Sequence, residues 1–133
     1  MAISLKFTNV TVTSVDESIP FYESLGFEVQ NDVGYGAFRW VTLGTAAQPG
    51  LGIVISEPGA GRSDADADAL QELLTKGSLP LMVFQTDDVD ALFEKLQATG
   101  AEVLQEPMEQ DFGPRDCAFR DPSGNTIRIA QAA

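Results

Sequence analysis

With 133 residues, 44% of them hydrophobic and 21% charged, the chain has the composition of a globular protein and the length to build one real core. A net charge of −12 with eight scattered basic residues argues against a phosphate-binding surface, and so against nucleic acid as a partner. No apolar run approaches the roughly 18 residues that span a bilayer, and Met1-Ala2-Ile3-Ser4-Leu5-Lys6 lacks the apolar core of a signal peptide.

Alternation of apolar and polar residues predicts a strand from about Leu5 to Val12. Ser14-Val15-Asp16-Glu17 has the Ser-x-x-Glu form of a capping box, and Ile19, Phe21, Tyr22 and Leu25 follow at helical spacing up to Gly26. Pro20 has no N–H to donate and is placed in the helix's first turn. Phe27 to Asn31 reads as a short strand and Gly34-Tyr35-Gly36 as a turn. Ala37 to Gly44 is a strand with Phe38, Trp40 and Thr42 on one face and Arg39, Val41 and Leu43 on the other. Leu51 to Ser56 is the next strand.

Ser63 followed by Asp64, Asp66 and Asp68 places a cap and three carboxylates at a helix start, and the helix ends at Gly77. A calcium loop would need a Gly and a closing Glu that are missing at the required positions. After Pro80 the first half repeats. Leu81 to Thr86 is a strand, Asp87 or Asp88 caps a helix holding Val89, Leu92, Phe93 and Leu96, and Ala101 to Leu104 is a strand. Gly26-Phe27-Glu28-Val29 matches Gly100-Ala101-Glu102-Val103 at a separation of 74, and Phe7 falls on Leu81 by the same offset. A loop from Gln105 to Gly113 leads to a hairpin around Asp121-Pro122-Ser123-Gly124-Asn125, with Ile127 and Ile129 facing one way and Thr126, Arg128 and Ala130 the other. Each half reads β-α-β-β-β, the pattern of an internal duplication.

Other chemistries lack residues. The chain has no histidine, so neither a Ser-His-Asp nor a Cys-His nucleophile can be assembled. The single cysteine, Cys117, excludes an internal disulfide, fits a reducing cytoplasm and reads as a buried strand residue. Gly59-Ala60-Gly61-Arg62 is too short for a phosphate loop.

The duplication, with Ser18-Ile19-Pro20-Phe21-Tyr22, Leu25-Gly26-Phe27-Glu28, Asp88-Val89-Asp90 and Phe119-Arg120-Asp121-Pro122-Ser123-Gly124-Asn125, resembles the vicinal-oxygen-chelate superfamily of glyoxalase I, bleomycin-resistance proteins and extradiol dioxygenases. The resemblance implies an α+β fold: one domain over 1–133, with two tandem βαβββ modules forming curved mixed sheets around a cleft. Module one would cover about 3–57, a linker with a short helix 58–79, and module two about 80–131. Enzymes of the superfamily hold a divalent metal on one residue from each of four strands. Carried over by position, these are Phe7, Gly52, Leu81 and Arg128, an aromatic, a glycine, an aliphatic and a cation. None offers the lone pair that a divalent metal needs, so no metal and no other cofactor is expected.

A cleft without metal becomes an apolar pocket with one cation. Parity puts Phe7 and Asn9 on its face of the first strand, Gly52, Val54 and Ser56 on the fourth, and Leu81, Val83 and Gln85 on the fifth, with either Trp40 or Arg39 joining from the third. The ligand-binding set expected is therefore Phe7, Asn9, Trp40, Val54, Leu81, Val83, Gln85 and Arg128, with Phe7 and Trp40 as aromatic wall. Arg128 must meet a carboxylate of the protein, water, or an acidic or carbonyl group of the ligand, and it is read as the ligand's anchor. The alternative for these apolar residues is that they fill the cleft as core. By analogy with the bleomycin-resistance branch, the expected function is metal-independent binding of a small organic molecule, sequestering a drug or metabolite, by a cytoplasmic homodimer. Two other readings stand beside it: a lyase, isomerase or dioxygenase-like enzyme, and an interaction protein with a filled cleft. Neither nucleic acid nor membrane is an expected partner.

Overall fold

A computed structural model describes residues 1–133. In chain order the elements are β1 (Phe7–Thr11), α1 (Val15–Ser24), β2 (Glu28–Tyr35), β3 (Phe38–Gly44), β4 (Gly52–Ser56), α2 (Asp64–Thr75), β5 (Met82–Thr86), α3 (Val89–Ala98), β6 (Glu102–Gln110), β7 (Gly113–Arg120) and β8 (Thr126–Gln131). They form two mixed sheets in the orders β1-β4-β3-β2 and β5-β8-β7-β6, so the fold is two tandem βαβββ modules. The edge strand β1 runs parallel to β4, and β5 runs parallel to β8.

The repeat is visible in local chemistry. Ser14 accepts a hydrogen bond from the Glu17 N–H at 3.2 Å and caps α1, and Asp88, 74 residues later, accepts from the Ala91 N–H at 3.0 Å and caps α3. Both helices stop at a glycine with positive φ, Gly26 (100°) and Gly100 (86°), a conformation that costs glycine nothing. Ser63 caps α2 through the Asp66 N–H.

One face of each sheet is closed. Val10, Val41, Leu43, Ile53 and Ile55 of the first sheet, Val12 just after β1, and Cys117, Phe119, Ile127 and Ile129 of the second sheet are buried in one cluster with Phe21 and Tyr22 of α1 and Phe93 and Leu96 of α3. Phe27 and Phe84 meet edge to face across the modules, with ring centroids 5.5 Å apart. Cys117 is fully buried, and that burial pushes its thiol up to about 11, so it is inert at neutral pH.

Polar contacts join the modules at the hairpin that closes the chain. The Tyr22 hydroxyl donates to Asp121 Oδ2 at 2.7 Å, and Asn125 Nδ2 donates both to Asp121 Oδ2 (2.8 Å) and to the Thr11 carbonyl (2.9 Å). The N–H groups of Ser123, Gly124 and Asn125 all donate to Asp121 Oδ1, while Ser123 Oγ accepts from the Thr13 N–H at 2.8 Å. Asp121, Ser123 and Asn125 are buried. The Asp-Pro-Ser-Gly-Asn turn is therefore a latch between modules as well as the tip of a hairpin.

Three local expectations are corrected. Pro20 lies beyond the first turn, because α1 already begins at Val15; the Asp16 carbonyl forgoes an N–H there. β2 runs on to Tyr35, since an edge strand exposed along its length has no need of the apolar alternation that marks an internal one. The predicted loop from Gln105 is strand as far as Gln110. Pro107 hid it, but β6 is also an edge strand, and Pro107 falls where the pairing register shifts between Gln105 and Met108.

Candidate ligand-binding site

The faces turned away from the core carry the predicted site residues. In the first sheet Phe7 lies opposite Gly52, Asn9 opposite Val54, and Thr42 opposite Val54 on its other side. Trp40 lies on this face, paired with Val33, because its neighbours Val41 and Leu43 are fully buried on the other. That settles the choice left open on β3. Arg39 points the opposite way and is held by Asp16 (2.6 Å) and Asp32 (2.8 Å). In the second sheet Val83 lies opposite Arg128 and Gln85 opposite Ala130. Phe7 is 46% exposed, Leu81 47% and Val83 63%, so within one chain these residues do not fill a core.

Arg128 is not a bare cation. Its Nη1 donates to Asp116 Oδ2 at 2.9 Å and to Gln105 Oε1 at 3.1 Å. Asp116 Oδ1 in turn accepts from Gln105 Nε2 (2.9 Å) and Gln110 Nε2 (2.7 Å). Burial acts to raise the Asp116 pKa, but the hydrogen bonds from Gln110, Gln105 and Arg128 outweigh it and hold the carboxyl below its ordinary value. These three partners were missed in the sequence. Asp116 was legible in principle: counting outward from the hairpin pairs Ala118 with Arg128, and Asp116 sits one pleat further on the same face. Gln105 and Gln110 were lost with the strand that Pro107 disguised.

The site residues fall into two groups on separate sheets. Phe7, Asn9, Trp40 and Val54 occupy one, and Val83, Gln85 and Arg128 the other, so a single chain does not set the aromatic wall against the cation. The sheets approach each other where β1 passes the segment before β5, at an open depression of about 310 Å³ lined by Asn9, Thr11, Pro80, Leu81 and Asn125. A second depression of about 450 Å³, beside Phe21, Ser24, Glu102 and Arg120, lies at the outer junction of the modules. Neither reaches Trp40 or Arg128.

The internal repeat offers Val54 as a second candidate beside Gly52 for the metal-type position on β4. The offset of 74 that carries Asn9 onto Val83 carries Val54, not Gly52, onto Arg128, and both pairs are in register within their sheets. With Val54 taken on β4, the four positions are Phe7, Val54, Leu81 and Arg128. Their side chains are two hydrocarbons, an aromatic ring and a guanidinium with no free lone pair, and they do not fit a divalent cation.

Exchanging Arg128 for methionine strands Asp116, whose side chain is only 14% exposed, with two amide donors and no counter-charge. A loss of about 1–2 kcal/mol is expected, between the values for surface and buried pairs. In a thermal melt this reads as a fall of several degrees; an unchanged melting temperature would show that the pair carries no stability.

The family model described as Glyoxalase/Bleomycin resistance protein/Dioxygenase superfamily matches residues 4–129. The protein YurT of Bacillus subtilis (strain 168) is 30% identical over 126 residues, which cover 93% of this chain and 95% of YurT. Among solved structures, UcmS2 superposes with a TM-score of 0.88 at 30% identity, over 99% of this chain and 100% of UcmS2. TnmS3, an antibiotic binding protein from Streptomyces sp. CB03234, superposes with a TM-score of 0.76 at 28% identity, over 100% of this chain and 99% of its own.

Proposed function

The chain belongs to this superfamily, and we propose that it binds a small organic molecule without a metal and sequesters it, as a cytoplasmic homodimer. The observation that carries the reading is the set Phe7, Val54, Leu81 and Arg128, which puts apolar surface and one hydrogen-bonding cation where the superfamily's enzymes place metal ligands. Half-exposed apolar residues with a few polar handles suit an organic ligand. That TnmS3 is an antibiotic binding protein supports a drug or metabolite as that ligand. A thermal-shift screen of antibiotics and aromatic metabolites, run with and without EDTA, tests the proposal. At least one compound should raise the melting temperature equally in both conditions and be recovered unchanged. Recovery of a chemically altered compound, or stabilisation abolished by EDTA, would place the protein among the enzymes instead.

The same geometry supports the dimer. A cleft needs an opposing wall, and the aromatic and cationic groups of one chain stand on different sheets. Apposition of two copies, the aromatic face of one against the Arg128 face of its partner, encloses the ligand and covers exposed Phe7, Leu81 and Val83. Light scattering at micromolar concentration should give about twice the chain mass of 14.2 kDa. A particle of single-chain mass at every concentration contradicts it.

A further inference from the structure

Resting on this reading of the site, we infer that the ligand is uncharged and carries a hydrogen-bond acceptor such as a carbonyl oxygen, and that the site discriminates against organic anions. An arginine in an apolar cleft ordinarily announces an anion. Here the charge is already neutralised. Asp116, one pleat away on the neighbouring strand, pairs with Arg128 Nη1 at 2.9 Å. The carboxylate is itself fixed by Gln105 and Gln110, so it cannot swing aside to free the guanidinium. Both Asp116 oxygens are therefore engaged before any ligand arrives, Oδ2 by Arg128 and Oδ1 by the two glutamines.

What remains available is directional rather than electrostatic. A guanidinium has five N–H donors. Nη1 is engaged by Asp116 and Gln105, while Nε and Nη2 make no hydrogen bond within the chain. These donors suit a neutral acceptor. An organic anion would lose its hydration, approach Asp116, and gain no uncompensated positive charge in exchange. The rest of the surface argues the same way. Arg120, at the hairpin end of β7, is paired with Glu102 and donates to the Gly124 carbonyl, and the open face of the first sheet carries Glu28 at its edge and no arginine. Lys6, just before β1, holds its ammonium 5.3 Å from the Phe7 ring centroid, but it is exposed and so screened by water. A cation fares no better, because Asp116 is occupied by three donors. In a chain of net charge −12, an uncharged acceptor is what the cluster accommodates.

Two fluorescent naphthalenes of similar size separate the possibilities: 6-propionyl-2-dimethylaminonaphthalene, neutral with a ketone, and 8-anilinonaphthalene-1-sulfonate, an anion. Each is titrated into the wild type, Arg128→Met and Asp116→Asn, and into Lys6→Met to isolate rim binding, with thermal melts confirming that each variant is folded. The wild type should bind the ketone at least about tenfold more tightly than the sulfonate, and Arg128→Met should weaken the ketone about tenfold or more, as for a lost charged hydrogen bond. Asp116→Asn leaves the guanidinium uncompensated and should shift the ratio at least about tenfold toward the sulfonate. Equal or tighter sulfonate binding by the wild type that survives Lys6→Met overturns the inference, and this arm holds even if Asp116→Asn does not fold. So does an unmoved ratio in folded Asp116→Asn. Binding of neither dye to the wild type would instead remove the ligand site itself, a separate failure.

Discussion

Asp121→Ala is expected to cost on the order of 4–5 kcal/mol, more than any substitution on the open faces. The carboxylate accepts five hydrogen bonds: three from the N–H groups of Ser123, Gly124 and Asn125, one from the Tyr22 hydroxyl and one from Asn125 Nδ2. Asp121 is 5% exposed and Tyr22 fully buried, so water cannot replace the lost acceptor. Burial and the neighbouring Asp121 carboxylate raise the Tyr22 pKa, so the phenol remains a donor at any working pH. Tyr22→Phe removes one of the five bonds, and the only one that crosses from α1 to the hairpin; a cost of about 1–2 kcal/mol is expected. Urea unfolding followed by circular dichroism ranks the two. A cost below about 2 kcal/mol for Asp121→Ala would mean that the turn relaxes without its carboxylate and that the modules are held by the shared core alone.

What the sequence revealed follows how local each determinant is. Caps and stops depend on neighbours in the chain, so Ser14, Ser63, Gly26 and Gly100 were readable, the α3 cap was narrowed to Asp87 or Asp88, and the duplication was visible with them. Strand faces depend on parity alone, so Val54, Val83 and Arg128 fall on the open faces as their spacing predicts. Trp40 was ambiguous because β3 has bulky residues on both faces, and only the burial of Val41 and Leu43 tells which is inside. The partners of Arg128 depend on a register that Pro107 obscured. On β4 the offset of 74 already carries Val54, not Gly52, onto Arg128, and the register agrees, with Asn9 opposite Val54 as Val83 is opposite Arg128. Asp121-Pro122-Ser123-Gly124-Asn125 was read as turn chemistry, which it is. Its second role was invisible, because Thr13 and Tyr22 lie about a hundred residues away in the chain.

Gly124→Ala should be the other severe substitution, at about 3–5 kcal/mol, for a reason that turn preference alone does not supply. Gly124 has φ +112°, a conformation that side chains resist. A Cβ there would also stand 2.5 Å from the Leu74 carbonyl oxygen and 3.2 Å from the Thr75 Cα. Both are backbone atoms at the end of α2, and Leu74 is fully buried, so the helix cannot withdraw without opening the protein's interior. Strain and clash can be told apart with Gly61, which has φ +75° and open space for 4 Å around the point where a methyl group would stand. Gly61→Ala should cost only the strain, about 1–2 kcal/mol. If the two substitutions prove equally costly, α2 does not press on the hairpin. If Gly124→Ala is worse by about 2 kcal/mol or more, the linker helix is a third element of the latch, bearing on the same turn whose other side Asp121 binds to Tyr22.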